Sequence, residues 1–532
     1  MTSFEPLAWC FVGVIWMISA LFDYTFFTYY AQLKEYRFDR FQDFISTKAG
    51  KTFLFDFRMI WRTVIVATLY TFVGDMLTTA TFLLIIIVID LIPKIHQIKK
   101  RRIKRPKFTY KALLIILLAL TFEFVIYYGV SLTNIILLVF VFRFFVAVFT
   151  VLLINIPTFF IKKLYIHLAT AKMNKLSELK VVGITGSYGK SSTKEFLYHI
   201  LSNTFDVVKT PNNINTEIGI AKFILKTKFT NKKIFIVEMG AYKRGEIQAI
   251  CSMTNPIIGI LTAIAPQHLS LFGSIKNICK SKHELLRFLP KNGLAITNSD
   301  NPYCRKHMHE FIAPVQTFGT ESEYSPTLLI EDVKNTKNGI EATSNLLGEK
   351  RTIEASVVGA HTILNIAPVY LAANFLGIPM NDIDGRLKTL PIGQGSIKKR
   401  TYGNAIILDD SANCNPEGFK AALDVLNTYP SDKRRIVVTR GMLELGDQSD
   451  ELHEQIGGEI SFVVDELVII TPDFVEPLER GVVRKYNTNV KKIFEPMALV
   501  EYFQSLKNEN VVVLLENRMP SSIKKEFNFP TS

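Results

Sequence analysis

Residues 179–195 read LKVVGITGSYGKSSTKE. Val181, Val182 and Ile184 form a short β-branched run that fits a buried strand. The run breaks into a turn holding Gly186, Ser187 and Gly189 and passes into helix-compatible sequence from Lys190. Strand, glycine turn and helix in that order make a phosphate-binding loop. The glycines let the backbone turn tightly and aim N–H groups inward, Lys190 reaches the β- and γ-phosphates, and the hydroxyl of Ser191 can ligate Mg²⁺ at a helix N-terminus, with Ser192 beside it in the loop that binds the nucleotide. The general Walker spacing requires glycine at position 184, where this chain has Ile184.

Downstream of this loop, strand-like runs alternate with helical stretches: IFIVEMG (234–240), IIGILTAI (257–264) and LAITNSD (294–300), then AIILDDS (405–411), RRIVVTRG (434–441), ELVIIT (466–471) and NVVVLLEN (510–517). That alternation predicts βαβ units and parallel sheets, in two successive α/β domains. With 532 residues there is room for about three domains at ~150 residues each.

Upstream the composition changes. The mean hydropathy of +0.21 and the 40 phenylalanines are high for a soluble chain, and the excess sits in the first 165 residues. Five apolar segments, 7–30, 59–73, 76–93, 111–130 and 134–158, predict five membrane spans, with a hairpin at Gly74-Asp75 separating the second from the third. Lysine and arginine concentrate in 31–58 and in KKRRIKRPK (99–107), whereas Gly74-Asp75 and GVSLTN (129–134) hold none. The bias places the basic loops and everything after Lys162-Lys163 in the cytoplasm and the N-terminus outside. No basic stretch precedes the first span, so no cleaved signal peptide is expected. Glu123 and Arg143 lie eight and twelve residues from Ser131 at the hairpin tip and can pair at one depth, with Asp23 a further intramembrane charge. The net charge of +14 reflects these membrane-flanking loops; nucleic acid is not an expected partner, whereas membrane lipids are. Five scattered cysteines without a C-x-x-C pair exclude a zinc ribbon and a disulfide framework. The domains expected are membrane residues 1–165, a linker at 166–176, an ATP-binding domain at 177–396 and a C-terminal domain at 397–532.

The T-G-S-x-G-K-S-x-x-K-E form at 185–195 resembles the Mur ligases, ATP-dependent amide-bond-forming enzymes of cell-wall synthesis, and within them the MurF type that adds D-Ala-D-Ala. Further motifs follow in the family's order. VEMGAYKRGEI (237–247) resembles E-x-G-A-x-x-x-G-E-I, which makes Glu238 a metal ligand. TAIAPQHLSLFGSIKNICKSKHELL (262–286) resembles N-x-x-x-x-H-L-x-x-F-G-S and the stretch after it. His268 is then the second metal ligand, and Lys282 a carbamylated lysine that binds metal and orients the acyl phosphate, with Lys280 its competitor. Thr262 stands where the family has Asn. TPNNINTEIGI (210–220) aligns Asn213 and Asn215 with residues lining the phosphate and substrate cleft. GAHTILNIAPVYLAA (359–373) carries His361 and Asn365 over as adenine contacts, and LDDSANCNPEGF (408–419) resembles D-D-S-Y-N-A-N-P, with Asp410 at the ribose, Asn413 in the closing loop and Ala412 in place of Tyr.

Departures grow toward the C-terminus: P-G-R reads Gly393-Gln394, Arg440 occupies an Asp position, and K-G-S-R reads Glu516-Asn517-Arg518. The resemblance runs from 177 to the end and leaves the membrane half uncovered, in the chain position of the family's soluble acceptor-binding domain. It implies a membrane-anchored ligase using ATP and two Mg²⁺ ions. The ligase would join an amino acid or dipeptide amine to a muramoyl-peptide or lipid-linked acceptor through an acyl phosphate. The competing readings are a polyglutamate synthase related to the Mur ligases, and a transporter or lipid-binding protein with a regulatory ATP-binding half.

Overall fold

A computed structural model describes residues 4–46, 50–51, 53, 62–64, 66, 76–99, 105–129, 133–267, 269–336, 339–357, 359, 362–390, 397–411, 415–443, 445, 448–482 and 488–527. The chain divides into two compact units, Met1–Lys163 and Leu164–Ser532.

The first unit is helical. Helices Phe4–Leu33, Phe38–Ser46, Met76–Lys99, Tyr110–Gly129, Thr133–Val141 and the start of Arg143–Met173 make it up among the described residues. Of the five spans expected from sequence, three helices have both the length and the apolarity to cross a membrane among the described residues: Leu7–Leu33, Tyr110–Gly129 and Arg143–Met173. Segment 76–93 lies within helix Met76–Lys99. Segment 59–73 and the Gly74-Asp75 hairpin fall almost wholly outside the described residues. The segment expected to cross once over 134–158 is broken at Phe142, and its second part continues without a break to Met173 through the stretch expected to be a linker. Periodicity could not show that break, because Phe142 is as apolar as its neighbours. Helix Phe38–Ser46 has another character, amphipathic, with Phe38, Phe41 and Ile45 on one side and Asp39, Gln42 and Asp43 on the other.

Inside this unit three acids meet three bases. Arg143 pairs with Glu123 at 2.6 Å and Asp23 at 3.0 Å, Arg62 with Asp23 at 2.8 Å and Asp90 at 2.6 Å, and Lys94 with Asp23 at 2.9 Å. All six side chains are buried. Ser19 and Tyr24 donate hydroxyls to Asp90 and Glu123. The expected Glu123–Arg143 pair therefore forms, and the sequence reading missed Arg62, Asp90 and Lys94, which balance the network.

The second unit holds two sheets. In chain order the strands of the first are β1 (Lys180–Thr185), β2 (Val207–Lys209), β3 (Ile234–Glu238), β4 (Ile258–Leu261), β5 (Leu294–Asn298), β6 (Val315–Gly319), β7 (Leu328–Thr336), β8 (Gly339–Leu346) and β9 (Glu349–Ala355). They lie side by side as β2-β3-β1-β4-β5-β6-β7-β8-β9. Neighbours from β2 through β7 are parallel, and β7–β8 and β8–β9 are antiparallel. The parallel strands are covered on both faces, which is why they read as unbroken apolar runs. Alternate residues serve alternate cores: Val182, Ile184 and Ile236 pack against helices Lys190–Ser202 and Ile363–Phe375, while Val181, Phe235 and Val237 pack against helices Glu217–Lys226 and Glu246–Thr254. The antiparallel β7–β9 extension was not foreseen; β8 buries every second residue, and its Thr343, Ser344 and Asn345 broke the apolar signal.

The second sheet follows with β10 (Lys398–Tyr402), β11 (Ala405–Asp410), β12 (Arg434–Thr439), β13 (Glu466–Ile469), β14 (Asn489–Lys492) and β15 (Val511–Glu516). Its order is β10-β11-β15-β12-β13-β14, parallel except for the edge strand β10.

Candidate functional site

Strand β1 sits between β3 and β4, in a register that aligns Ile184 with Glu238 and Thr185 with Leu261. Three consecutive strand ends therefore open side by side at the carboxyl edge of the sheet, where parallel α/β folds bind their ligands. The glycine turn grows from β1, Glu238 ends β3, and Thr262 follows β4.

The turn needs its glycines. Gly186 sits at φ +153° and Gly189 at φ +80°; a Cβ on Gly186 would lie 2.0 Å from Thr262 Oγ1, and one on Gly189 2.2 Å from Asn365 Oδ1. Thr262 donates its hydroxyl to the carbonyl of Tyr188, so the residue that departs from the family pattern still braces the loop. Ser187 accepts from the Ala265 N–H at 3.0 Å and donates to the Ala265 carbonyl at 3.1 Å, clamping the loop to the segment after β4. The Lys190 ammonium donates to the carbonyls of Gly186 at 2.7 Å and Ser187 at 3.0 Å, and burial holds its pKa below the usual lysine value.

Glu238 is the centre of the polar cluster. Its carboxylate accepts from Ser191 at 3.0 Å, Lys194 at 3.0 Å and Asn215 at 3.2 Å. Burial opposes its ionisation, but Lys194 and Lys190 outweigh burial and keep its pKa below the usual range. Lys194 is fully buried against it. Sequence reasoning gave Lys194 no role, although it is the final lysine of the loop motif; its spacing of four from Lys190 puts both on one side of the helix.

Lys282 ends helix Ile275–Lys282 and is buried, whereas Lys280 is half-exposed on the same helix. Burial and the charge of Lys190 push Lys282 down to about 7, only partly offset by Glu246, Glu284 and Glu238. Glu284, another residue the sequence reading passed over, accepts the N–H groups of Gly245 at 2.7 Å and Gln248 at 3.0 Å and so caps helix Glu246–Thr254 from outside.

The remaining expected positions divide. Asn215 also accepts the Gly240 N–H on its carbonyl at 2.8 Å, tying it to the end of β3. Asn213 is exposed in a turn at φ +62°. Asn365 lies against Gly189 and accepts the Thr193 hydroxyl at 3.3 Å. Ser192 is buried at the helix start beside Ser191. Asp410 is buried at the end of β11, in the second sheet. His268, His361, Asn413, Ala412 and the Gly393-Gln394 hinge lie outside the described residues. At the C-terminal departures, Asn517 turns the chain at φ +65° and donates to the Gly441 carbonyl, joining the end of β15 to the loop after β12.

Chemically, the site offers a glycine-lined cradle, one buried and one part-buried cation, and one buried carboxylate bearing a serine hydroxyl, a set suited to a polyphosphate with a hard divalent ion. Among the described residues no cluster of three or more His, Cys, Asp and Glu side chains is present.

Comparison with known proteins points the same way. Residues 184–373 match the Mur ligase middle domain, and residues 397–516 match the Mur ligase, glutamate ligase domain. The chain is 30% identical over 312 residues to a UDP-N-acetylmuramoyl-tripeptide–D-alanyl-D-alanine ligase of Synechocystis, a match covering 58% of this chain and 65% of that one. The enzyme of the same name from Bacillus subtilis is 28% identical over 296 residues, covering 56% of this chain and 63% of that one. The chain thus spans just under two thirds of these relatives. The structure of MurF ligase from Thermotoga maritima in complex with ADP superposes with a TM-score of 0.58 at 27% identity, over 69% of this chain and 82% of that one.

Proposed function

From the premise that this chain belongs to the Mur ligases through its middle and glutamate ligase domains, we propose that it is a MurF-like, ATP-dependent carboxylate–amine ligase of cell-wall precursor synthesis. Its apolar N-terminal helices hold it at the cell membrane, with the ligase unit on the cytoplasmic side. The acceptor is a muramoyl peptide, nucleotide-linked as in the relatives' name or lipid-linked, and the donor is an amino acid or dipeptide such as D-alanyl-D-alanine. The observation that carries this reading is the buried Glu238 carboxylate, held by Ser191, Lys194 and Asn215 at the mouth of the phosphate loop.

The reaction proceeds in two displacements. The acceptor carboxylate takes the γ-phosphoryl group of ATP, releasing ADP and leaving an acyl phosphate. The amine then attacks the acyl carbon, expelling phosphate and giving up a proton. Lys190 and the N–H groups of the 186–192 loop stabilise charge on the transferring phosphoryl group, and such stabilisation accounts for most of the catalysis in transfers of this kind. Lys194 holds Glu238 ionised and in place. Glu238 and Ser191 present the hard oxygens Mg²⁺ prefers, and with His268 and a carbamate on Lys282 they would hold the metal ions, which neutralise phosphate charge when bound. The amine of Lys282, with its pKa at about 7, is substantially neutral in the cytoplasmic pH range, the form that adds CO₂ with loss of a proton. His361, Asn365 and Asp410 are the proposed adenosine contacts, with Asn413 closing over the nucleotide and Asn213 and Asn215 toward the substrate cleft.

The test is phosphate release by detergent-purified full-length protein, across amino acids and dipeptides with nucleotide-linked and lipid-linked muramoyl acceptors. Release that requires one amine and one acceptor together supports the proposal. The Lys190→Ala variant should lose at least ~100-fold, the ~3 kcal/mol expected for one preorganised charge on the transferring group. Release independent of any amine would make the ATP-binding half regulatory and overturn the ligase reading.

A further inference from the structure

The first unit contains a cleft that neither the ligase chemistry nor the ion-pair network uses. About 550 Å³ of space lies within it, open solvent at its mouth included. It is formed by the end of helix Phe4–Leu33 and the turn after it, helix Phe38–Ser46, Phe53 and the first half of helix Arg143–Met173.

The lining is graded in polarity. The floor is apolar, with Phe27, Phe41, Phe53, Phe144, Val148 and Val151. Phe41 stacks on Phe144 at 6.0 Å, and Phe53 crosses Phe41 at 6.1 Å, so aromatic rings form a continuous wall. The mouth is polar and cationic, with Lys34, Arg37 and Asn155. Asn155 is held in place, donating to the Tyr36 carbonyl at 3.0 Å and accepting from Lys111 at 2.9 Å. Carboxylates are present too: Asp39 pairs with Arg37 and Glu35 with Arg40, each at 2.7 Å. Asp43 on helix Phe38–Ser46 is a third carboxylate, so these acids offset Lys34, Arg37 and Arg40 in number; the charged side chains that line the cleft itself are Lys34 and Arg37. Leu33, Phe38 and Leu152 around it are exposed apolar side chains, a surface that hydrocarbon, not water, covers in a membrane.

An apolar slot with a cationic rim, set in hydrocarbon-facing surface on the side where the basic loops gather, is complementary to an amphiphile with an anionic head. We propose that this cleft is a specific site for one anionic membrane lipid, its chain lying along the phenylalanine wall and its headgroup oxygens at Lys34, Arg37 and Asn155. This assignment rests on the membrane placement proposed above. It differs from a general lipid coat because it demands a headgroup charge and is filled by a single molecule.

The experiment uses the full chain in vesicles of phosphatidylcholine containing a small fraction of diazirine-bearing phosphatidylglycerol, or of diazirine-bearing phosphatidylcholine of the same chain. Crosslinks are mapped by peptide mass spectrometry. Wild type should give labels concentrated on segments 27–41 and 144–155 with the anionic probe, at least fivefold over the zwitterionic one. Val148→Trp fills the slot and should abolish that enrichment while labelling on other apolar helices stays constant. The double variant Lys34→Glu/Arg37→Glu leaves the slot open and should lose only the headgroup preference. Equal labelling of wild type and Val148→Trp, or equal labelling by the two probes, overturns the site alone. A chain released from membranes by a carbonate wash overturns the membrane placement, and the site with it.

Discussion

Single residues in this chain are constrained by what surrounds them more than by their own type. Two lysines two positions apart illustrate it. Lys280 is half-exposed, whereas Lys282 is buried beside Lys190 with its pKa lowered to about 7. An amine that CO₂ is to modify must be neutral for part of the time, and burial provides that at position 282. Lys282→Ala should therefore be nearly inactive in phosphate release and partly recovered by acetate, a small carboxylate that can take the carbamate's place, while Lys280→Ala keeps activity close to wild type. The reverse pattern would transfer the role to Lys280. The same dependence on surroundings explains Lys194, unremarkable as a letter and decisive as the buried partner of Glu238.

At the level of elements, long-range side-chain contacts hold loops and helices in register. His453, on helix Ser449–Val463, donates from Nδ1 to the Ser449 carbonyl and accepts the Met442 N–H on Nε2 at 2.8 Å, and it stacks on Phe474 at 4.2 Å. These contacts require the neutral ring, and burial lowers its pKa below 6.5. A lowered folded-state pKa contributes stability that is complete above 6.5 and fades as pH falls through that value toward the folded one. His453→Gln should be less stable than wild type at pH 7.5, and the gap in urea midpoint should shrink by pH 5; a constant gap would dismiss the titration. Between helices of the first unit, Arg143 binds both Glu123 and Asp23. Removing one member of a buried pair costs about 3–5 kcal/mol, whereas removing both often costs little. Arg143→Leu should sharply lower thermal stability in detergent. Arg143→Leu/Glu123→Leu should recover much of it, because Asp23 and Asp90 then remain balanced by Arg62 and Lys94. Equal loss in both variants would show that charge balance is not what the network secures.

For the whole molecule, the orientation proposed above follows from the asymmetry of lysine and arginine along the chain. In a Cys10→Ser background, an impermeant maleimide on intact cells should label Ser131→Cys, and Ser177→Cys only after lysis. The opposite pattern would place the phosphate loop away from cytoplasmic ATP. Of the five spans counted by hydropathy, three lie in helices that meet the length and apolarity needed among the described residues, and segment 59–73 lies almost wholly outside those residues. Hydropathy measures the solvent a segment prefers, and a turn made by an apolar residue such as Phe142 leaves no mark on it.

The amino-acid sequence by itself determined the parallel sheets, the phosphate loop and the apolar, helical character of the first 165 residues. These follow from local signals: unbroken β-branched runs, glycines where φ is positive, and apolar stretches of spanning length. It also pointed to Glu238 and Lys282, because each lies inside a motif of fixed spacing. Tertiary structure alone decided that Lys194 neutralises Glu238 and that Thr262 braces the glycine turn. It likewise decided that Glu284 caps a helix some forty residues earlier in the chain and that Arg62, Asp90 and Lys94 complete a balanced charge network. Each of these depends on which groups meet after folding. The worth of a charge or a hydroxyl is set by the dielectric and the partners around it, and those belong to the packed chain.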